Sequence, residues 1–191
     1  MTRYGSTRHG VSRRSLIESA FFLSALSVGG GLASPALARG MGDFRSLRLV
    51  NNRTGESIDC VYYADGLYID EALSAFDFIL RDWREEQSIR MDRSVIDILA
   101  SVQSRLDSRE PFEIVSGYRT PITNATLRRR SRGVAKKSYH TKGMAVDIAM
   151  KTRSVRQIAH AGLSLGRGGV GRYSRAQFVH LDSGPERTWG R

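Results

Sequence analysis

A single carboxylate interrupts an apolar segment in the C-terminal half of the chain. Asp147 lies within residues 145–149, which are otherwise Ala, Val and Ile and have the composition of a buried strand. A buried carboxylate is unfavourable unless an opposite charge or a metal ion compensates it. The fold must therefore bring a partner to Asp147, and either an arginine or a metal ion would serve.

Two of the four histidines can reach Asp147. His140 lies seven residues before it, and Gly143 between them permits a tight turn. His180 lies in a second predicted strand and shares a face with Asp182, because side chains on a strand repeat every two residues. Two histidines and an aspartate with an open fourth position form a catalytic zinc arrangement. We therefore predict that His140, Asp147 and His180 bind zinc.

Spacing alone leaves a second interpretation open. Each histidine could have a structural role, and Asp147 could pair with a nearby arginine. His160 lies in a predicted helix without an acidic neighbour, which favours an ordinary surface or core residue. Cys60 has no accompanying His or Asn motif, so we predict a small buried apolar side chain and no catalytic thiol.

The N-terminal 38 residues have the pattern of an export signal. An apolar segment at residues 20–28 is too short to cross a hydrocarbon core of about 30 Å. The sequence Ser12-Arg13-Arg14-Ser15-Leu16 precedes that segment and is typical of a twin-arginine signal. Ala36-Leu37-Ala38 is a small-x-small cleavage site. We predict a twin-arginine signal at residues 1–38, with a general secretory signal as the alternative, and no stable membrane insertion after cleavage.

The net charge limits the classes of binding partner, and the cysteine count limits the kinds of metal site. The formal net charge is +11; the predicted signal holds four of the 30 basic and one of the 19 acidic residues, so its removal leaves +8. Such a surface attracts polyanions such as nucleic acid, anionic lipid or an anionic wall polymer. One cysteine excludes both an intramolecular disulfide and a zinc site built on several cysteines.

Hydrophobic periodicity predicts one α+β domain at residues 44–191, after a flexible lead at residues 39–43. A helix at residues 70–84 begins with Asp70 as its cap, and a second helix follows the cap Asp92. Thr120-Pro121 and Ser154 are further helix starts. The predicted elements are a hairpin of strands 44–50 and 57–63, strands 112–116, 145–149 and 177–181, helices 121–130 and 155–163, and a glycine-rich turn at 166–171.

Three motifs carry a resemblance that spans roughly residues 45–189. They are Ser116-Gly117-Tyr118-Arg119, Ser138-x-His140-x-x-Gly143-x-Ala145-x-Asp147 and Val179-His180-x-Asp182. Together they resemble the zinc peptidases of the D-alanyl-D-alanine peptidase group, which includes VanX-like dipeptidases and the lysostaphin-related enzymes. Within that group the chain is most similar to the YcbK-like, or MepK-like, murein endopeptidase branch.

The resemblance implies a fold, a site and a reaction. The fold would be a small antiparallel sheet that carries the zinc site and packs against helices, as in hedgehog and D,D-peptidase domains. His140, Asp147 and His180 match the zinc ligands, and Arg119 matches the arginine that stabilises the developing oxyanion. The substrate would be a peptide crosslink of peptidoglycan, hydrolysed by zinc-activated water in the periplasm.

The general base departs from the wider group. Gln177 stands where many members have an acidic residue, and Phe178 where the lysostaphin-related members have a histidine. Asp182 is the candidate base, and its alternative role is to orient the zinc-bound His180.

Three other functions stay open. A non-catalytic wall-binding module would keep the metal and lack the base, and a D,D- or L,D-carboxypeptidase would act on stem peptides. The chain carries no basic motif interleaved with aromatic residues, so specific nucleic-acid binding is not favoured.

Overall fold

The computed structural model describes residues 43–131 and 133–190. The predicted signal at residues 1–38 lies outside the described residues. Within the described part the chain forms four α-helices and one eight-stranded sheet, which confirms the α+β class. None of the described helices is long and apolar enough to cross a membrane.

Most predicted elements are confirmed, with bounds that shift by one or two residues. In chain order the elements are β1 (Arg45–Asn51), β2 (Glu56–Ala64), β3 (Leu67–Tyr68), α1 (Asp70–Ile79), α2 (Arg93–Arg105), β4 (Phe112–Ser116), α3 (Pro121–Arg130), a 3-10 helix (Tyr139–Lys142), β5 (Ala145–Ala149), α4 (Val155–Leu163), β6 (Gly169–Tyr173), β7 (Phe178–Asp182) and β8 (Arg187–Gly190).

The sheet is larger and more mixed than predicted. Its strand order is β3-β2-β1-β4-β5-β7-β6-β8. The pairs β1–β4 and β6–β8 are parallel, and the other pairs are antiparallel. The prediction of a small antiparallel sheet was therefore wrong, because two edge extensions, the β1–β2–β3 hairpin unit and β8, enlarge the central strands that hold the site.

The core lies between the sheet and helices α1, α2 and α4. Helix α2 buries Val95, Leu99 and Val102 completely, and its opposite face is polar. From the sheet, Phe112 and Leu181 are equally inaccessible to solvent. Each such side chain contributes roughly 1.5–3 kcal/mol through the water it releases. This packing fixes β4, β5 and β7, the strands that carry the site.

Three of the predicted helix caps are confirmed. The Asp92 side chain accepts a hydrogen bond from the Ser94 backbone at the start of α2. Thr120 caps α3 with Pro121 at the first helical position, and Ser154 forms a capping box with Gln157 at α4. Each cap satisfies backbone N–H groups that have no partner inside the helix.

Helix α1 is shorter than predicted, and Asp70 is not its cap. The cap position is Ile69, whose side chain makes no capping hydrogen bond, and the helix ends at Ile79. The reason lies far away in the sequence. A continuing helix would use the Leu80 carbonyl internally, but that carbonyl accepts a 2.7 Å hydrogen bond from the Tyr118 backbone.

The predicted glycine-rich turn is instead mostly strand β6, and the predicted last strand is followed by β8. A Cβ atom at Gly169 would lie 2.5 Å from the Arg187 guanidinium, and one at Gly171 would lie 2.6 Å from the Trp189 ring. Both glycines leave room for side chains of β8 to cross over β6. The glycines therefore serve close packing across the sheet, which the sequence pattern did not reveal.

Candidate active site

A row of paired residues crosses five strands and organises the site. Ser116 pairs with Asp147, Asp147 with His180, His180 with Gly171, and Gly171 with Trp189. Because paired residues in neighbouring strands project to the same face, their side chains meet above the sheet. The sheet itself thus delivers two of the predicted ligands to adjacent positions.

The third predicted ligand comes from the 3-10 helix before β5. His140 follows Ser138, and Gly143 ends the helix with a φ of +67°, so the chain turns back tightly, as predicted. The Gly143 carbonyl accepts a 2.9 Å hydrogen bond from the Asp92 backbone, which holds the turn against the cap of α2. Ser138 takes the cap position of this 3-10 helix, so it and His140 do not lie on one face of a strand.

The three predicted ligands meet in a buried cluster. His140 Nε2 lies 3.1 Å from Asp147 Oδ1, and His180 Nδ1 lies 2.8 Å from the same oxygen. The two ring nitrogens are 3.1 Å apart. All three residues are less than a tenth exposed. One donor atom from each residue lies within 4.8 Å of the others, a spacing that a single metal ion can bridge.

The outward nitrogen of each imidazole has an acceptor of its own. His140 Nδ1 lies 2.7 Å from the Gly117 carbonyl, and His180 Nε2 lies 2.9 Å from Asp182 Oδ2. If each outward nitrogen carries the proton, the inward nitrogens present lone pairs. Three atoms with lone pairs then face one another with no N–H or O–H group between them. A metal cation would satisfy all three. Acceptors behind the ligating histidines are the usual support of such a site.

Arg119 binds the other oxygen of the aspartate. Its guanidinium pairs with Asp147 Oδ2 and donates a 2.7 Å hydrogen bond from Nε to the Ser116 hydroxyl. The arginine partner considered for Asp147 is thus present together with the histidines. Burial alone would raise the pKa of Asp147, but its interactions with His140 and then with His180 lower it strongly.

The loop that carries Arg119 is interlocked with His140. The Arg119 backbone donates a 3.2 Å hydrogen bond to the His140 carbonyl, while the Gly117 carbonyl faces the His140 ring. A Cβ atom at Gly117 would lie 2.2 Å from the Leu80 carbonyl oxygen. The buried Asp82 accepts hydrogen bonds of 2.9 and 3.0 Å from the Thr120 backbone and hydroxyl. The segment 80–82 therefore clamps the loop on both sides of Arg119.

Asp182 is completely buried and fully committed to hydrogen bonds. Besides His180 it accepts from the backbones of Gly169 (3.2 Å) and Gly184 (2.8 Å). Arg187 adds a two-pronged ion pair, with distances of 3.0 Å to Oδ1 and 2.6 Å to Oδ2. Burial opposes ionisation, but the hydrogen bonds from His180 and Arg187 lower the pKa of Asp182 to about 2.

The two histidines differ in charge preference. Burial lowers the pKa of His140, and Asp147 offsets this only in part. Burial also opposes charge on His180, but hydrogen bonds to Asp147 and Asp182 outweigh it and raise its pKa to about 9. A proton on His180 and a metal ion would each place positive charge beside Asp147, so they compete for the cluster.

The cluster opens into a cleft of about 560 Å³. Its cationic lining residues are Arg119, Lys137 and Arg187, and Asp147 is the one carboxylate among the described residues that line it. Four aromatic side chains also line the cleft: Tyr139, Tyr173, Phe178 and Trp189. A cleft with this lining suits a ligand that is anionic and partly apolar.

Aromatic side chains build one wall beside the cluster. Tyr173 and Phe178 stack with their centroids 4.4 Å apart, and Trp189 donates a 2.9 Å hydrogen bond to the Tyr173 hydroxyl. The Trp189 ring lies 5.2 Å from the His180 ring. Phe178 thus packs against Tyr173 and lines the cleft. Gln177 is exposed, with a φ of +57°, and its amide turns back to the Ser174 carbonyl.

Two further titratable residues lie away from the cleft. His160 is exposed on α4. Cys60 is half-buried in β2, where burial raises the pKa of its thiol to about 11. A raised pKa disfavours the nucleophilic thiolate. Neither residue lines the cleft.

Sequence reasoning missed Arg187, Trp189 and the Gly117 carbonyl. The sequence does carry a signal for the first two. Gly169 and Gly171 are two residues apart, as are Arg187 and Trp189, and side chains two residues apart on a strand lie on the same face. Each large side chain of one strand can therefore lie over a glycine of its neighbour. The Gly117 carbonyl is a backbone atom, and its role depends on tertiary structure alone.

Comparison with known proteins places these features in a family. The sequence model of the family described as "Peptidoglycan L,D-endopeptidase MepK" matches residues 39–189. The peptidoglycan L,D-endopeptidase MepK of Escherichia coli (strain K12) is 45% identical over 145 residues, covering 76% of this chain and 80% of that protein. The MepK of Shigella flexneri gives the same values. The protein of Haemophilus influenzae described as a probable peptidoglycan L,D-endopeptidase MepK is 37% identical over 146 residues, covering 76% of this chain and 78% of that protein. The chain therefore belongs to the MepK family of peptidoglycan L,D-endopeptidases, a family of peptidoglycan hydrolases.

Proposed function

We propose that this peptidoglycan endopeptidase hydrolyses a peptide crosslink of murein with water and a zinc ion held by His140, Asp147 and His180. The observation that carries the proposal is the convergence of three lone-pair atoms, each from a buried side chain, at the end of a cationic cleft. Two histidines and one carboxylate suit zinc, which leaves an open position when it has three protein ligands. When bound, zinc activates water as a nucleophile near neutral pH and polarises a carbonyl oxygen.

Arg119 has the position for electrostatic stabilisation. Its guanidinium lines the cleft beside the cluster and is 12% exposed, so it can contact substrate. The pair with Asp147 and the bond to Ser116 hold it in one place before substrate arrives. A preorganised donor next to a developing oxyanion lowers the barrier without reorganisation.

For Asp182 we propose the orienting role. A general base must reach the water or the substrate, directly or through one water. Asp182 is completely buried, does not line the cleft and contacts the outward nitrogen of His180. These contacts support a residue that fixes the His180 ring and makes its inward nitrogen a better ligand.

The names of the relatives specify an L,D peptide bond. A 3-3 crosslink joins an L-configured carboxyl group to a D-configured amine, whereas a 4-3 crosslink joins two D centres. We therefore propose the 3-3 crosslink as the substrate, ahead of the 4-3 crosslink and of carboxypeptidase activity on stem peptides.

The location follows from the substrate. Peptidoglycan lies outside the cytoplasmic membrane, so the enzyme must be exported, and we propose the periplasm. Ser12-Arg13-Arg14-Ser15-Leu16 supports the twin-arginine machinery as the export route. The likeness to hedgehog and D,D-peptidase domains likewise stays a prediction.

One observation favours a second candidate, the non-catalytic wall-binding module. Among the described residues that line the cleft, Asp147 alone is a carboxylate, and it is already committed to the cluster. A module of this kind would bind murein and release nothing.

Digestion of purified sacculi separates the two candidates. We expect the zinc-loaded protein to convert crosslinked muropeptides to monomers, and the His180→Ala variant to leave them intact. Pull-down of the same sacculi measures binding independently. Binding by the wild type without any product would support the module and refute the enzyme.

A further inference from the structure

Among the described residues that line the cleft, Lys137 is the cation whose charge has no partner within the fold, unlike Arg119 and Arg187. Arg119 is paired with Asp147 and Ser116, and Arg187 is paired with Asp182 and the Pro185 carbonyl. Lys137 lines the same cleft, is exposed, and has no hydrogen-bond or ion-pair partner among the described residues. Its ammonium group can therefore bind an anionic group of a ligand that enters the cleft.

The backbone on both sides of Lys137 is anchored. On the N-terminal side, the Ala135 carbonyl accepts a 3.2 Å hydrogen bond from the amide of Asn124, which is 4% exposed on α3. On the C-terminal side, Ser138 is buried, and its carbonyl accepts hydrogen bonds from the Thr141 backbone and hydroxyl. These hydrogen bonds hold the backbone around Lys137 in place. Lys137 lies three residues before His140 in the sequence, at the edge of the cleft.

The cleft as a whole favours an anion. Among the described residues, three cationic side chains line it against one carboxylate, and a bound divalent metal would add positive charge. Like-signed charges along a concave surface focus the field into the cleft. A peptide that carries free carboxylates near its scissile bond would match this field, while the same peptide with carboxamides would not.

We propose that Lys137 forms a specificity subsite that binds a free carboxylate of the murein stem peptide. The subsite selects unamidated stems over amidated ones. The proposal rests on the proposed function, because it names the chemical class of stem that the same cleft accepts.

The chain offers a matched control in Lys136. Lys136 is adjacent, exposed and equally charged, but it does not line the cleft. Lys137→Met and Lys136→Met remove the same charge from neighbouring positions. A general effect of net charge on murein binding would appear in both variants, whereas a subsite effect would appear only in Lys137→Met. Lys137→Arg keeps the charge and should keep the selectivity.

The test compares a crosslinked muropeptide dimer with free carboxylates to the same dimer with its diaminopimelate carboxyl groups amidated. For the zinc-loaded wild type and for Lys136→Met we expect KM to be about two- to fivefold lower for the free acid, the size of an exposed charge pair. We expect Lys137→Met to lose this preference by raising KM for the acid alone, with kcat unchanged. Calorimetric binding of the monomeric stem peptide, in acid and amide forms, gives the same comparison without turnover.

The outcomes distinguish a failure of the subsite from a failure of the proposed reaction. If the wild type cleaves neither dimer but binds the acid stem in a Lys137-dependent way, the proposed reaction is wrong and the subsite stands. If the wild type cleaves the dimers and Lys137→Met keeps the full acid preference, the subsite is wrong and the reaction stands. An equal loss of preference in Lys136→Met would also overturn the subsite, because the effect would then belong to the surface charge.

Discussion

Each buried side chain of the cluster is held by a further residue beside it. Asp147 divides its two oxygens between the histidines and Arg119, and His180 divides its two nitrogens between Asp147 and Asp182. Each residue thus has one contact in the cluster and one outside it. Substitution of the outer residues Arg119 or Asp182 should therefore alter the chemistry of the inner residues Asp147 and His180.

Asp182→Asn tests the orienting role of the carboxylate. The amide keeps the volume but weakens the acceptor for His180 Nε2, so we expect zinc affinity to fall by roughly 10- to 100-fold. Competition with a chelating dye measures this change. Asp59→Asn, an exposed carboxylate on β2 that pairs with Arg48, is the matched control and should bind zinc like the wild type. Unchanged zinc affinity with a large loss of kcat at full occupancy would instead identify Asp182 as the base.

Arg119→Ala tests the stabilisation of the oxyanion. Loss of one such donor costs about 3–4 kcal/mol, so we expect kcat on purified murein to fall by about 10²–10³. Zinc content must be measured alongside, because Arg119 also contacts Asp147. Turnover within about twofold of the wild type at equal zinc content would contradict the role.

Two elements complete the site from opposite sides. Strand β8 lies beyond β6, and the loop before α3 follows β4. Strand β8 sends Arg187 to Asp182 and Trp189 towards His180, over the glycines of β6. The loop before α3 brings the Gly117 carbonyl to His140. Both contacts depend on glycines, because a Cβ atom at Gly117, Gly169 or Gly171 would collide with a neighbouring group.

Gly171→Ala tests the crossing of β8 over β6. The added methyl group would lie 2.6 Å from the Trp189 ring, and such overpacking costs about 1–3 kcal/mol. We expect a lower melting temperature, and we expect Trp189→Ala in the same chain to restore part of it by making room. Gly133→Ala is the control, since its nearest neighbour would be 3.6 Å away. Equal melting temperatures for Gly171→Ala and the wild type would show that the crossing is not tight.

The sequence predicts local features well and long-range ones poorly. The turn at Gly143, the caps Asp92 and Ser154, and the convergence of His140 with Asp147 all follow from neighbouring residues. The end of α1 depends on Tyr118, which binds the Leu80 carbonyl, and this contact has no local signal. Strand β8 is short and lacks an alternating apolar pattern, so only its match to the two glycines of β6 reveals it.

The whole molecule should become less stable in acid. Hydrogen bonds from Arg81 lower the pKa of Glu56. Burial alone would raise the pKa of Asp82, but hydrogen bonds from Thr120 and the Arg84 backbone lower it below the usual value. Carboxylates whose pKa is lowered by folding stabilise the native state above their unfolded pKa of about 4 and lose that contribution as the pH falls.

We therefore expect the melting temperature of the chelator-treated protein to fall steeply below about pH 4, where these carboxylates lose their contribution. Between about pH 7 and pH 5 the two cluster histidines act in opposite directions, because folding lowers the pKa of His140 and raises that of His180. Working with chelator keeps loss of metal from contributing to the change. Asp82→Asn should melt at a lower temperature at neutral pH, because it leaves the Thr120 donors with a weaker acceptor. A variant that melts like the wild type at pH 7 would show that Asp82 does not support this loop.

A titration of the metal-free enzyme with zinc, followed by release of monomers from crosslinked murein, tests the central claim directly. We predict that activity is absent before zinc is added, rises linearly and saturates at one zinc per chain, and that His140→Ala stays inactive throughout. Full turnover in the presence of excess chelator, or an active His140→Ala variant, would contradict the account.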